Sequence, residues 1–273
     1  MDYGIVIASV LALGVLGAAF ALVLAIANAR FAVKRDPLEE KVLAALAGTN
    51  CGACGYGGCA AYAQAVAAGK VPATACIPGG GPAAKAVANL VGQTIEPREQ
   101  QVAVVHCNRE SAPSIDYSGI GDCRAATAIV GGVYECRFAC LGLGTCARVC
   151  PSGAIWMSDK GLPVVDEERC TGCGICVKAC PKGIVTVERR ADEVHVLCRS
   201  KDKGAVAREK CEHACIACGL CVKACNAKAI EIQDFLAEID YNKCVSCGEC
   251  VAVCPTGAIG DYRKTRRRKV DVA

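Results

Sequence analysis

The chain opens on an unbroken apolar run. From Gly4 to Ala27 the sequence GIVIASVLALGVLGAAFALVLAIA carries no charged residue over 24 positions. At about 1.5 Å per residue this run makes a helix of about 36 Å, longer than the ~30 Å hydrocarbon layer of a bilayer, and predicts a spanning helix. Beyond it the pattern changes. Asp36-Pro37 followed by Glu39 has the form of a helix start, with an Asp N-cap, Pro at the first helical position and an acidic side chain reaching back. A short helix to about Ala47, ended by Gly48, is predicted. The Ala-rich stretch Ala60 to Ala68 predicts a second helix, Ile77 to Pro82 (IPGGGP) a loop, and the stretch to about Leu90 a third helix. After that the apolar positions form short strand-like clusters. Val104 to Cys107 (VVHC) and Val194 to Cys198 (VHVLC) each lead into two cysteine groups, so the remainder reads as an internal duplication.

Charge orients the membrane run. Arg30, Lys34 and Arg35 follow it and Asp2 precedes it, so the positive-inside rule places the N-terminus outside and the remainder in the cytoplasm of a bacterial cell. A cleaved signal peptide would want a basic start and a shorter apolar core, whereas the chain begins Met1-Asp2 and has no good processing site. Gly14 with Ala18 and Gly17 with Ala21 leave room for a neighbouring helix in the bilayer. No ionisable residue lies within the span, so ion movement belongs to other subunits.

Composition then dominates. The chain has 24 cysteines in 273 residues and only 4% aromatic residues, so metal-sulfur bonds rather than large rings are expected to hold the folded parts together. Disulfides suit oxidising compartments and conflict with the cytoplasmic placement. The net charge of +4 comes partly from the tail RKTRRRK (Arg263 to Lys269), which reads as a solvated or lipid-headgroup-facing segment and gives no reason to expect nucleic acid as a partner.

The cysteine spacing carries the chemistry. In the first unit CRFACLGLGTCARVCPSGAI, from Cys136, leads to CTGCGICVKACPKGIV, from Cys170; in the second CEHACIACGLCVKACNAKAI, from Cys211, leads to CVSCGECVAVCPTGAI, from Cys244. Cys170, Cys173, Cys176 and Cys180 with Pro181, and Cys244, Cys247, Cys250 and Cys254 with Pro255, follow C-x2-C-x2-C-x3-C-P. In that motif three thiolates wrap one 4Fe-4S cube and the fourth reaches the neighbouring cube. Four cysteines packed into each such run suit zinc poorly, because its sites want separated pairs. The exchange rule predicts Cys150 with Cys170, Cys173 and Cys176, then Cys225 with Cys244, Cys247 and Cys250, and Cys254 with Cys215, Cys218 and Cys221. Where the second unit has Cys218 the first has Leu143, so Cys136 is expected to join Cys140, Cys146 and Cys180 as a replacement, leaving its counterpart Cys211 redundant. Asn226 stands where Pro usually follows, a change expected to alter the turn or the solvation of the cluster more than its ligation.

Cys51, Cys54, Cys59 and Cys76 form a separate group, C-x2-C-x4-C-x16-C, within and after TNCGACGYGGC, whose glycines bring backbone N–H groups to the sulfurs. About five 4Fe-4S clusters follow. Cys107, Cys123, Cys198 and Cys211 remain as buried thiols, or as a sixth cluster that no local spacing signals. His106, His195 and His213 show no metal or catalytic spacing. No G-x-G-x-x-G fingerprint in a strand-turn-helix setting occurs, so nicotinamide chemistry is assigned to a partner. The fold class is α+β: a transmembrane helix over 1–28, a small helical 4Fe-4S domain over 29–92, two tandem bacterial-type ferredoxin-like modules over 93–192 and 193–262, and a basic tail over 263–273.

The apolar helix, the TNCGACGYGGC group with Cys76, YSGIGDCRAA (Tyr117 to Ala126), CLGLGTCARVCPSGAI (Cys140 to Ile155) and the repeats in that order resemble the B subunit of the Rnf complex in its long polyferredoxin form. The resemblance covers nearly the whole chain. It implies a subunit of a translocase, an ion-translocating ferredoxin:NAD oxidoreductase coupled to Na+ or H+, that exchanges electrons with soluble ferredoxin and passes them to the other membrane and peripheral subunits. The Cys51 group alone also resembles the cluster-binding start of the corrinoid iron-sulfur protein, a soluble family without these repeats. A stand-alone tethered polyferredoxin and a cluster-assembly scaffold are the competing readings; a scaffold would hold its clusters labile, against the interlocked ligation expected here.

Overall fold

The structure is a computed structural model that describes residues 3–31, 36–95 and 99–262. The charges of Asp2, Lys34 and Arg35 and the basic tail over 263–273 lie outside the described residues. Helix α1 (Tyr3–Phe31) is apolar around its whole circumference, carries Arg30 in its last turn, and has none of its most apolar window buried against the rest of the chain. It is long and apolar enough to cross a bilayer, and its exposed Leu13, Phe20 and Leu24 are of the kind a hydrocarbon phase would cover.

A small helical unit follows, built from α2 (Pro37–Ala45), α3 (Cys59–Ala67), a 3-10 turn (Ala73–Ala75) and α4 (Gly80–Val91). The predicted cap forms: the Asp36 carboxylate accepts from the Leu38 N–H at 2.8 Å, with Pro37 at the first helical position. Helix α2 stops at Ala45, short of the predicted Ala47, and α4 begins at Gly80 inside the predicted IPGGGP loop. Pro82 permits this, because the N–H it lacks would find no partner in a first helical turn. Val42, Tyr62, Val66 and Val87 are fully buried between the three helices, and the Tyr62 hydroxyl donates to the Pro72 carbonyl at 2.9 Å.

Each later unit is closed by pairing its first strand with its last. In the first, β1 (Gln101–Val105) runs antiparallel to β4 (Val185–Arg189), with Val104 opposite Thr186, around the hairpin β2 (Ile155–Met157) and β3 (Pro163–Val165). In the second, β5 (Val194–Val196) pairs with β8 (Ile259–Asp261) around the hairpin β6 (Ile230–Gln233) and β7 (Leu236–Ile239). Short helices carry the cysteines between them: α5 (Cys123–Val130), α6 (Thr145–Arg148) and α7 (Ile175–Ala179), then α8 (Gly204–Lys210), α9 (Leu220–Ala224) and α10 (Glu249–Ala252). The apolar clusters are small and share their space with sulfur: Val194, Val196, Ile230, Leu236 and Ile259 pack with Cys198, Cys215, Cys221 and Cys250. Cores of this size supply little stability by themselves and call for staples such as disulfides or bound metal.

The two units are sewn together by imidazoles. His106, one residue past β1, is buried, and burial above all depresses its pKa to about 4, so the ring is neutral. Its Nδ1–H donates to the Val196 carbonyl on β5 at 2.6 Å, and its Nε2 accepts from the Thr186 hydroxyl on β4 at 2.7 Å. The His195 ring packs edge-on to His106 and to Tyr262, with Nδ1 2.6 Å from the Tyr241 hydroxyl.

Candidate metal centres

The cysteine loops share one local device. A glycine in the left-handed region, Gly144, Gly174, Gly219 or Gly248, precedes α6, α7, α9 and α10 and turns the chain sharply enough that cysteines on both sides of it face one space. Gly172 is pressed still closer: it has φ +67°, and a Cβ there would stand 2.7 Å from the Gln101 carbonyl oxygen, so the Cys170 loop lies against β1. That approach lets the Ala103 N–H donate to the Cys170 sulfur at 3.4 Å.

Tertiary pairing then gathers the sulfurs into cages. Cys215, Cys218 and Cys221 share a cavity with Cys254, from the far end of the same unit. Cys225 shares another with Cys244, Cys247 and Cys250. In the first unit burial, followed by the fields of Cys173, Cys170, Cys146 and Cys150, pushes the Cys176 thiol up to about 12. Cys221 is pushed up to about 11, by burial and then by Cys215, with Cys218 and Cys254 acting in the same direction. Backbone N–H groups are aimed at the sulfurs: Ala154 at Cys150 and Ala229 at Cys225, both at 3.3 Å, and Ser246 at Cys244 at 3.4 Å. All 24 cysteines carry free thiols.

The donor set fits iron-sulfur cubes. Buried thiols held this far up stay protonated at neutral pH unless a cation takes the sulfur, and N–H donors facing a sulfur favour its anionic form. Among the described residues no three Cys, His, Asp or Glu side chains converge tightly enough for a single ion.

One grouping departs from the sequence expectation. Cys140, Cys146 and Cys180 share their cavity with Cys123, and Cys136 does not line it. The reason lies upstream. Asp122 caps α5 through the N–H groups of Arg124 and Ala125, its other carboxylate oxygen accepts from the Thr145 hydroxyl at 3.0 Å, and the Cys123 N–H donates to that hydroxyl at 2.8 Å. Cys123 is thereby fastened beside Cys146, and its charged form raises the Cys146 pKa. Cys136 instead lies within electrostatic reach of Cys107. The signal that could have found Cys123 was the Asp-Cys start of a capped helix.

In the helical unit Cys54, Cys59 and Cys76 pack in one cluster with Tyr62 and Val66, and Cys51 lies three residues before Cys54 on the loop leading to α3. The Asn50 side chain accepts from the Cys59 N–H at 2.8 Å and shapes that loop. Gly79 is needed here for space, since a Cβ would come to 2.5 Å from that of Ala83 and 3.2 Å from the Cys76 sulfur. Cys76 and Cys170 line the same cleft, Cys146 acts on Cys176, and Cys221 acts on Cys250, so the cage of the helical unit adjoins those of the first ferredoxin-like unit, and the two cages of the second unit adjoin each other.

Known proteins are similar to this chain in sequence. Residues 46–78 match the family model described as "Putative Fe-S cluster", residues 135–184 and 214–258 match a 4Fe-4S dicluster domain, and residues 169–230 match a second 4Fe-4S dicluster model. The B subunit of the ion-translocating oxidoreductase complex of Methanosarcina acetivorans is 42% identical over 258 residues, 93% of this chain and 98% of that protein. The B subunit of the proton-translocating ferredoxin:NAD(+) oxidoreductase complex of Clostridium ljungdahlii is 43% identical over 90% of this chain and 88% of its own length. The Na(+)-translocating counterpart of Acetobacterium woodii is 47% identical over 85% of this chain and 70% of its own length. With its apolar helix, its Fe-S segment and its tandem dicluster modules, the chain belongs to the family of B subunits of the ion-translocating (Rnf) oxidoreductase complexes.

Proposed function

We propose that this chain is the electron-transfer subunit of a membrane-bound ion-translocating ferredoxin:NAD oxidoreductase, exchanging electrons with soluble ferredoxin on the cytoplasmic side and relaying them to the other membrane and peripheral subunits. Five cluster sites are assigned: Cys51, Cys54, Cys59 and Cys76; Cys123, Cys140, Cys146 and Cys180; Cys150, Cys170, Cys173 and Cys176; Cys215, Cys218, Cys221 and Cys254; and Cys225, Cys244, Cys247 and Cys250. The observation that carries the reading is the crossing of Cys254 to the cavity of Cys215, Cys218 and Cys221, with Cys225 crossing the other way. A bound 4Fe-4S cube supplies one-electron chemistry whose potential the protein sets by burial and by hydrogen bonds to sulfur. The residues provide the rest: thiolates interlocked between loops keep the sites in register, backbone N–H groups stabilise the sulfur charge, and α1 tethers the relay to the bilayer. The units over 29–92, 93–192 and 193–262 are read as the three cluster-bearing domains.

The test is anaerobic isolation of the complex from its membrane. About 20 or more iron atoms and as many sulfides per chain, with stoichiometric membrane subunits and absorbance bleached on mixing with reduced soluble ferredoxin, are expected. A colourless chain, or one isolated without membrane subunits, overturns the reading.

A further inference from the structure

We propose that Cys107, Cys136, Cys198 and Cys211 hold a sixth 4Fe-4S cluster at the junction of the two ferredoxin-like units. This rests on the multi-cluster reading above and takes up the four cysteines its five sites leave over. They are not a random remainder. Cys107 and Cys198 follow the equivalent strands β1 and β5, while Cys136 and Cys211 each stand four residues before the first cysteine of an equivalent loop, Cys140 or Cys215. Each unit therefore contributes a matching pair.

The junction brings these pairs together. The hydrogen bond from His106 to the Val196 carbonyl sets the ends of β1 and β5 side by side, two residues or fewer from Cys107 and Cys198. Beside the other pair Arg137 meets Asp202 at 3.5 Å, and His213 Nε2 lies 3.4 Å from Glu110. Cys136 is within electrostatic reach of Cys107, Cys198 and Cys211, and Cys211 is also within reach of Cys107.

The sulfurs are dressed as ligands are. The Cys140 N–H donates to Cys107 at 3.4 Å and the Ser200 N–H to Cys198 at 3.4 Å, while backbone N–H groups at Phe138 and His213 serve Cys136 and Cys211. A free buried thiol behaves as a small hydrophobe and needs no such donors, and four converging on one another gain nothing. Arg109, 3% exposed and bonded to the carbonyls of Cys140, Lys160 and Gly161, sets a fixed positive charge that acts on both Cys140 and Cys211. Seating a cube exchanges four S–H for four S–Fe bonds and releases four protons. The position matters as much as the ligands. Cys107 acts on Cys140 and Cys198 feels Cys215, so the quartet stands between the Cys140 site of one unit and the Cys215 site of the other and closes the gap between two otherwise separate relays.

The experiment compares the full-length holoprotein with its Cys211→Ala variant, both purified anaerobically, by iron, sulfide and zinc content per chain. The expected result is about 24 irons in the parent and about 20 in the variant. About 20 in both, or one zinc without the additional iron, overturns the sixth site and leaves the five-site reading standing; few or no irons in the parent overturns both. Because the variant could fail to fold, the parent is also alkylated anaerobically with iodoacetamide. Half-buried Cys211 should resist labelling until the iron is chelated, and its labelling in the iron-loaded protein overturns the proposal.

Discussion

At the scale of single residues, the informative side chain is Cys123. Alignment of the two repeats assigns the ligand lost at Leu143 to Cys136, because an alignment compares equivalent positions and Cys136 is the nearest cysteine to hand. The fold places Cys123 in the cavity of Cys140, Cys146 and Cys180, held through the side chains of Asp122 and Thr145, and on that placement we propose it as the fourth ligand. A cap of this kind contributes about 1 kcal/mol on its own. Its larger effect is to aim one sulfur. Replacing Cys123 with Ala should lower the iron content by about four atoms per chain, measured as iron against protein in anaerobic samples; unchanged iron would return the ligand to another cysteine. The conformational demands at Gly172 and the steric demand at Gly79 are residue-scale facts too, and both serve the approach of backbone to sulfur.

At the scale of elements, helices of four or five residues such as α6, α7, α9 and α10 are far below the length at which a helix persists alone. They hold their shape because both ends are tied, by a left-handed glycine on one side and by the strand pairs β1 with β4 and β5 with β8 beyond. The link between the units is likewise an element-scale device, since His106 joins β4 to β5 through Thr186 and Val196. Substituting Phe for His106 keeps a buried ring but leaves the Val196 carbonyl unpaired. A loss of roughly 1–3 kcal/mol is expected, read as a lower urea midpoint for loss of the visible cluster absorbance under anaerobic conditions. An unchanged midpoint would mean that the imidazole link contributes nothing to the junction.

At the scale of the whole molecule, an apolar helix and a sulfur-rich relay divide the work. Helix α1 has no part of its most apolar window buried against the rest, so a chain starting at Asp36 should keep its full iron content while moving from the membrane pellet to the supernatant on ultracentrifugation. Iron loss on truncation would show that the helix also supports a cage. Much of this organisation was legible in the sequence, for a physical reason. The spanning run, the Asp36 cap, the repeated units and the C-x2-C-x2-C-x3-C-P loops are set by interactions over a few residues, so spacing alone encodes them. What spacing could not encode was which distant sulfurs meet. Cys123 reaches Cys146, and Cys136 turns toward Cys107 and the pair from the second unit, only because strand pairing, the Thr145 bridge and the His106 junction bring together segments tens of residues apart. Local pattern determined the kind of chemistry this protein carries; the tertiary contacts decided how its cysteines are shared out.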